Sequence, residues 1–369
     1  MKILYVITGL GIGGAERQLV NLSDELSYNN EIMIISLTNN HKLLPTNKNI
    51  IISEINTNKT IYGFIKSILY IKKTIIDFNP DIVHAHMFHA IIITRIVRVF
   101  TKINKLISTS HCINEMRRFS MLIYRLTDHL TDLSTNVSKM ANEEYINKSA
   151  WPMSKSIVVE NGIDTDYFTF TVKGRMKIRS ILNINNNTKI ILAIGRLVEE
   201  KNYTLLIKSF AQVYKHNANI KLLIIGSGPQ KDYLLNLSHK LQIYNNLIFL
   251  GEQQNVVDWI SACDIFILTS KFEGFGLVVA EAMACERVVV ATNCGSIKNI
   301  TNGNGFVVNL DDEDLLVSNL TKALSLEQNI CDDIGKQSRE HIIKNYSIKS
   351  VAEKWRKIYF NLYNYNVNV

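Results

Sequence analysis

The chain reads as an α/β protein built from two doubly wound, Rossmann-like parallel sheets. Three observations carry this. Short apolar runs of strand length alternate with helical periodicities, the pattern of parallel sheets covered by helices on both faces. The alternation lapses between about residues 161 and 188 and then begins afresh. At 369 residues, 47% of them hydrophobic, the chain can bury two separate cores. The domains expected are residues 1–165 and 166–345, followed by an amphipathic helix over 346–369.

KILYVIT (2–8) reads as a buried strand, LGIGGAERQLVNLSDEL as a glycine turn feeding an amphipathic helix, and EIMIISL (31–37) as the next strand. Gly9, Gly11 and Gly14 match the G-x-G-x-x-G spacing of dinucleotide sites. The acidic ribose ligand of such sites is missing, because the second strand ends around Ser36 and Leu37. Glycines opening a helix still suit any phosphate. Further strands are expected at 50–54, DIVHAH (81–86), KLISTS (105–110), DLSTN (132–136) and SIVVE (156–160). Ligands of such sheets bind beyond the carboxyl ends of the strands. His84, His86 and His111 fall there. With His89, the first two are too loosely spaced for a metal cluster and lack a nearby carboxylate. His111, just past STS and ahead of a helix, is the better candidate for touching substrate.

NGIDTDYFTF and the polar NINNNT read as the linker between domains. Asp164 and Asp166 form a D-x-D, a spacing that can hold a divalent ion but is short and common. KIILAIGRL, IKLLIIG, NLIFLG, DIFILTS, RVVVAT and GFVVN then give the strands of a second sheet. Arg196 and Lys201 follow the first of these, and Gly226-Ser227-Gly228-Pro229 the second. Arg196 and Lys201 flank Glu199 and Glu200, so an ordinary salt-bridged loop is the competing reading.

TSKFEGFGLVVAEAMACERVVVAT (269–292) reads as a β-α-β crossover. Gly274 and Gly276 let the amides of Phe275, Gly276 and Leu277 point outward at a helix N-terminus, which makes an anion site. Leu277, Ala280, Glu281 and Ala284 share a helix face. Glu281 is therefore expected half-buried among alanines, where a carboxylate needs a partner. The residues alone leave open whether Glu281 only caps a loop and the glycines only turn the chain. Two such sheets facing each other would leave a cleft suited to a ligand with a central diphosphate. In the final helix Val351, Trp355, Ile358, Tyr359 and Leu362 form one stripe, which must dock on an apolar surface.

The formal charge of +8 is shared about evenly by the two halves, so neither is a basic nucleic-acid domain. Between 95 and 125, Arg95, Arg98, Lys102, Lys105, Arg117, Arg118 and Arg125 stand against Glu115 and interleave with Phe100, Met116, Phe119, Met121, Leu122 and Tyr124. That composition suits peripheral docking on an anionic bilayer. Cys112, Cys263, Cys285, Cys294 and Cys331 are odd in number with no C-x-x-C, which argues against disulfides or a zinc cluster. A signal-peptide apolar region and runs of transmembrane length are absent, so a cytoplasmic location is expected, peripheral on the inner face of the membrane.

GGAE (13–16), DIVHAH, STSH ending at His111, NGID (161–164), GRLVEEKN (195–202), GSGP and EGFGLVVAEAMAC (273–285), in this order, resemble the retaining nucleotide-sugar glycosyltransferases of the GT-B fold, family 4. The resemblance runs nearly the full chain and includes the E-x7-E pair Glu273 and Glu281. It implies a donor domain in which Arg196 and Lys201 grip the diphosphate, with Gly226 beside them. The amides of Phe275, Gly276 and Leu277 would hold the distal phosphate, Glu281 the ribose, and Glu273 the sugar. Gly13 and Gly14 would approach the phosphate from the first domain, and His111 would lie near the reacting centre. His86, Arg117 and Arg118 are the acceptor or membrane candidates. The resemblance further implies a metal-independent, front-face mechanism without a cofactor, a UDP-sugar donor, and a lipid-diphosphate-linked or lipopolysaccharide acceptor in bacterial surface-glycan assembly. The final helix would cross back to the first domain. A nucleotide-sugar 2-epimerase of the same fold and a non-catalytic nucleotide-sugar-binding partner are the alternatives. One departure stands out: Ser296 and Asn299 in CGSIKNI replace a glycine and an acidic residue of many relatives.

Overall fold

The computed structural model describes residues 1–11, 13–39, 43–57, 60–111 and 117–364, with the backbone alone for 117 and 118. The chain divides into Met1–Gly162 with Ile348–Val369, and Ile163–Ser347. The first unit runs β1 (Lys2–Ile7), α1 (Gly14–Leu26), β2 (Glu31–Ser36), β3 (Ile51–Glu54), α2 (Ile61–Phe78), β4 (Ile82–His86), α3 (Phe88–Phe100), β5 (Leu106–Ser110), α4 (Arg117–Thr127), β6 (Leu133–Asn136), α5 (Lys139–Asn147) and β7 (Ser156–Val158). Its strands form one parallel sheet in the order β3-β2-β1-β4-β5-β6-β7. The seven strands are those expected from the apolar runs.

Helix faces explain the layers. Ile71, Ile75 and Phe78 of α2, Ala90, Ile91 and Val97 of α3, Met121 and Tyr124 of α4 and Tyr145 of α5 share one core with Leu4, Val6, Val83 and Ala85. On the other face Leu19, Leu22 and Leu26 of α1 pack with Ile3, Tyr5, Ile7 and the stripe Val351, Trp355 and Tyr359. Thus the last helix covers the first unit.

The second unit runs α6 (Val172–Ile181), β8 (Lys189–Ile194), α7 (Tyr203–His216), β9 (Ile220–Ile225), α8 (Lys231–Lys240), β10 (Leu247–Gly251), α9 (Val256–Ala262), β11 (Ile265–Leu268), α10 (Leu277–Ala284), β12 (Val288–Thr292), α11 (Ile297–Thr301), β13 (Phe306–Val308), α12 (Glu313–Leu324) and α13 (Gln328–Tyr346), and α14 (Ile348–Asn364) returns to the first. Its parallel sheet has the order β10-β9-β8-β11-β12-β13.

The expected linker is corrected here. Residues 163–188 belong to the second unit, and they include α6, which packs on α9. The apolar pattern misses α6 because arginines anchor it: Arg175 and Arg179 each donate to Asp264 at 2.7 Å, and Arg175 also reaches the carbonyls of Ala262 and Cys263. Ahead of it, Arg339 donates to the carbonyls of Thr165 and Phe168 at 3.0 and 2.9 Å.

Candidate active site

In the second unit the loops after β8 and β9 interlock. The Leu197 amide donates to the Ser227 carbonyl at 2.8 Å, and the Gln230 amide to that of Leu197 at 3.1 Å. Gly226 takes φ +139°, and a Cβ there would collide with the Gly195 carbonyl. Such a close backbone approach requires glycine. Arg196 sits exposed on this turn. Lys201 is mostly buried, and its Nζ lies 2.5 Å from Glu273 Oε1, which also accepts from Ser270 Oγ at 2.7 Å. The Thr269 hydroxyl donates to the carbonyls of Lys201 and Asn202 at 3.1 Å, and the Lys271 amide to that of Glu200 at 2.8 Å. The loops after β8 and β11, on neighbouring strands, are therefore stitched together, and the Lys201 partner is Glu273 rather than Glu199 or Glu200.

Gly276 caps α10 at φ +105°, with no side-chain hydrogen bond to the cap. The first amides of a helix have no partner within it, so this end, with Phe275, Gly276 and Leu277, can take an anion. Gly295, at φ +57°, lies against the Glu273 backbone; a Cβ would stand 2.5 Å from its carbonyl oxygen. Ser296, which follows it, is buried. Glu281 lies a turn into α10 and is 2% exposed, deeper than the half-buried position expected. The Phe275 ring is buried against Tyr346, so only its backbone is offered to a ligand.

In the first unit β1, β4, β5 and β6 are neighbours, with Ile7 beside His86, His86 beside Thr109, and Ser110 beside Asn136. His84 is held by both ring nitrogens, Nδ1 to Tyr359 Oη at 2.7 Å and Nε2 to Thr109 Oγ1 at 2.6 Å. Tyr359 also bonds Tyr5 Oη at 3.0 Å. His84 and His86 rings lie 4.1 Å apart, and His86 Nδ1 meets His111 Nε2 at 3.0 Å. Burial pushes His84 and His86 well below the ordinary imidazole range and His111 to about 4, so all three are neutral at pH 7. At the N-terminus of α1 the carboxylate of Glu16 lies over Gly13, and burial raises its pKa.

The sequence profile of Glycosyl transferases group 1 matches residues 174–341, and that of Glycosyltransferase Family 4 matches residues 12–167. The chain belongs to this glycosyltransferase family. An uncharacterized glycosyltransferase of Methanocaldococcus jannaschii is 29% identical over 60% of this chain and 58% of its own length. The N-acetylgalactosamine-N,N'-diacetylbacillosaminyl-diphospho-undecaprenol 4-alpha-N-acetylgalactosaminyltransferase of Campylobacter jejuni is 26% identical over 88% of this chain and 90% of that protein. Among solved structures, Anabaena HepE in complex with UDP and glucose superposes with a TM-score of 0.85 at 18% identity, covering 98% of this chain and all of HepE. Both sheets thus have the GT-B architecture.

In this glycosyltransferase Arg196, Lys201, Gly226, Glu273, Gly276 and Leu277 gather at the carboxyl ends of β8, β9 and β11, with Glu281 on the helix behind. His111, Gly13 and Gly14 lie at the corresponding ends of the first sheet. His86, expected as an acceptor or membrane contact, is 1% exposed and instead bonds His111. The side chains of Arg117 and Arg118 lie outside the described residues. Two of the basic residues expected at a membrane are structural: Arg95 is fully buried, bonding Ser108, the Tyr124 carbonyl, Thr127 and Ser134, and Arg98 pairs with Asp132 at 2.8 Å. Asp164 of the D-x-D caps a turn by accepting from the amides of Asp166 and Tyr167. Among the described residues no cluster of His, Cys, Asp or Glu is arranged to hold a metal, and no helix is long and apolar enough to cross a membrane. Nothing in the sequence pairs Thr109 and Tyr359 with His84, since Tyr359 lies 275 residues from it.

Proposed function

We propose that this glycosyltransferase moves a hexose-type sugar from a UDP-sugar to a lipid-diphosphate-linked saccharide, with retention of configuration and without a metal, in bacterial surface-glycan assembly. The observation that carries the reading is the Lys201–Glu273–Ser270 cluster beside Arg196 and the open N-terminus of α10. Cations and unpaired amides would stabilise the diphosphate as it leaves. Glu281, buried on α10, would take the ribose hydroxyls. Glu273, held by Lys201 and Ser270, positions the sugar electrostatically rather than attacking it. In the front-face step the anomeric carbon–phosphate oxygen bond breaks through an oxocarbenium-like state. The departing phosphate oxygen takes the proton of the acceptor hydroxyl as the new glycosidic bond forms. His111 would contact an oxygen of the transferred sugar.

The UDP complex of HepE and the undecaprenol-diphosphate substrate in the name of the Campylobacter relative support the donor and acceptor classes. A peripheral membrane role draws support from one helical layer of the first unit. Helix α2 is apolar on both sides: Ile71, Ile75 and Phe78 face the core, while Tyr62, Ile65, Leu69 and Ile76 are exposed opposite them beside Lys66 and Lys73. Helix α4 exposes Phe119, Leu122 and Leu126 with Arg125, and α3 ends in exposed Val99 and Phe100. Apolar side chains flanked by cations suit an anionic interface.

The test is turnover of UDP-, GDP- and ADP-sugars in EDTA with an undecaprenyl-diphosphate saccharide, reading nucleotide release and product anomer. Sugar transfer from a UDP-sugar with α configuration retained is expected. Inversion, a requirement for added divalent metal, or C2 epimerisation without acceptor would each overturn the corresponding element of the proposal.

A further inference from the structure

His86 and His111 share one hydrogen bond, and where its proton sits decides what His111 can do. The two rings are stacked with centroids 5.3 Å apart at 26°, and only one of His86 Nδ1 and His111 Nε2 carries the bridging proton. If His111 donated, the neutral His86 would carry its own proton on Nε2. That atom is buried without a partner among the described residues, in a ring enclosed by His84 at 4.1 Å and Tyr5 at 5.7 Å. If His86 donates, the other proton sits on His111 Nδ1. This atom is also buried and without a partner among the described residues, but its residue as a whole is only half-buried and lies at the carboxyl ends of the strands, where ligands bind. Each tautomer leaves one buried N–H and one bare lone pair, and the orphaned donor is the costlier of the two; it costs less at His111, where a ligand oxygen can accept it, than at His86, whose ring is enclosed by its neighbours.

We propose that His86 is a positioning residue that donates to His111 Nε2 and fixes His111 as the Nδ1–H tautomer. His111 then acts as a neutral hydrogen-bond donor to a substrate oxygen and not as a general base. The role rests on the reading of His111 as facing the transferred sugar. Burial keeps His86 and His111 uncharged, so the choice is between two neutral tautomers. His84, fastened at both nitrogens by Tyr359 and Thr109, backs the His86 ring and holds it in line.

The experiment is a long-range proton–nitrogen correlation spectrum of the full-length protein labelled with 15N-histidine, with His111 assigned by its loss in His111→Gln. The parent protein should show His111 protonated at Nδ1. His86→Phe keeps a stacked ring but removes the donor, and should move His111 to the Nε2–H form. It should lower kcat about tenfold with KM for the donor within about twofold, the signature of an interaction made in the transition state. His86→Asn, whose amide can donate from nearly the same place, should restore both tautomer and kcat. A parent His111 protonated at Nε2, or an unchanged tautomer and kcat in His86→Phe, overturns the proposal. Full activity of His111→Gln alongside the expected parent tautomer would instead remove the sugar-facing reading of His111, and with it the catalytic role, while leaving the histidine pair as described.

Discussion

Replacing Lys201 by Met separates the two things its ammonium group does. In the folded protein it contacts Glu273 at 2.5 Å, with the two side chains 20% and 12% exposed. At an effective dielectric of about 20, two charges 4 Å apart attract by about 4 kcal/mol, and desolvation of the pair offsets much of this. After the substitution Glu273 keeps the Ser270 hydroxyl but loses its cation. A stability loss of about 1–3 kcal/mol follows, since a mostly buried carboxylate is left short of a donor. If Lys201 also faces the leaving diphosphate, kcat falls by a further factor of about 10²–10³ in enzyme that is still folded. The assay is UDP release at saturating donor, measured at a temperature where the variant's melting curve shows it folded. A double-mutant cycle with Glu273→Gln apportions the coupling. A variant with a lowered Tm but kcat within about threefold of the parent would show that Lys201 only fastens a loop, refuting its role at the diphosphate.

Gly226→Ala should lower Tm and weaken UDP binding at least about tenfold, because strain at φ +139° costs about 1–3 kcal/mol and its Cβ displaces the turn carrying Arg196; an unchanged Kd by calorimetry would dissociate that turn from the donor. Acid should destabilise the first unit through its histidines. Their folded pKa values lie below the unfolded value of about 6.5, so between pH 6.5 and about 4 the unfolded chain binds more protons and stability falls as pH falls. Urea unfolding across that range should show proton uptake, reduced by about one proton in His84→Gln, and a flat profile would contradict neutral burial. Ile65→Gln, Leu69→Gln and Ile76→Gln together should lower the protein's flotation with anionic liposomes about tenfold or more while leaving Tm nearly unchanged, as exposed apolar positions contribute little to folding. Undiminished flotation would take α2 out of the membrane reading.

Most strands were legible in the sequence because a strand buried on two faces is largely apolar, as KILYVIT and RVVVAT are, and each run expected from KILYVIT to GFVVN became a strand. The glycines at 226 and 276 were legible for a similar reason: a backbone in the left-handed region or in close contact leaves little choice of residue. Helix α6 was hidden because its anchors are Arg175 and Arg179 on Asp264, an ionic contact with no periodicity to betray it. Charge counting misread Arg95 and Arg98, whose partners Asp128 and Asp132 lie far along the chain, beyond β5 and α4, so a basic cluster in the sequence is partly an internal brace in the fold. The sequence by itself therefore determined the strands, the turns and the residue types at the sheet edges, all set by local periodicity and steric exclusion. Only tertiary structure decided the partners: Lys201 with Glu273, and Tyr359 with His84 and His86 with His111, because a hydrogen bond depends on distance in space and chain spacing carries no record of it.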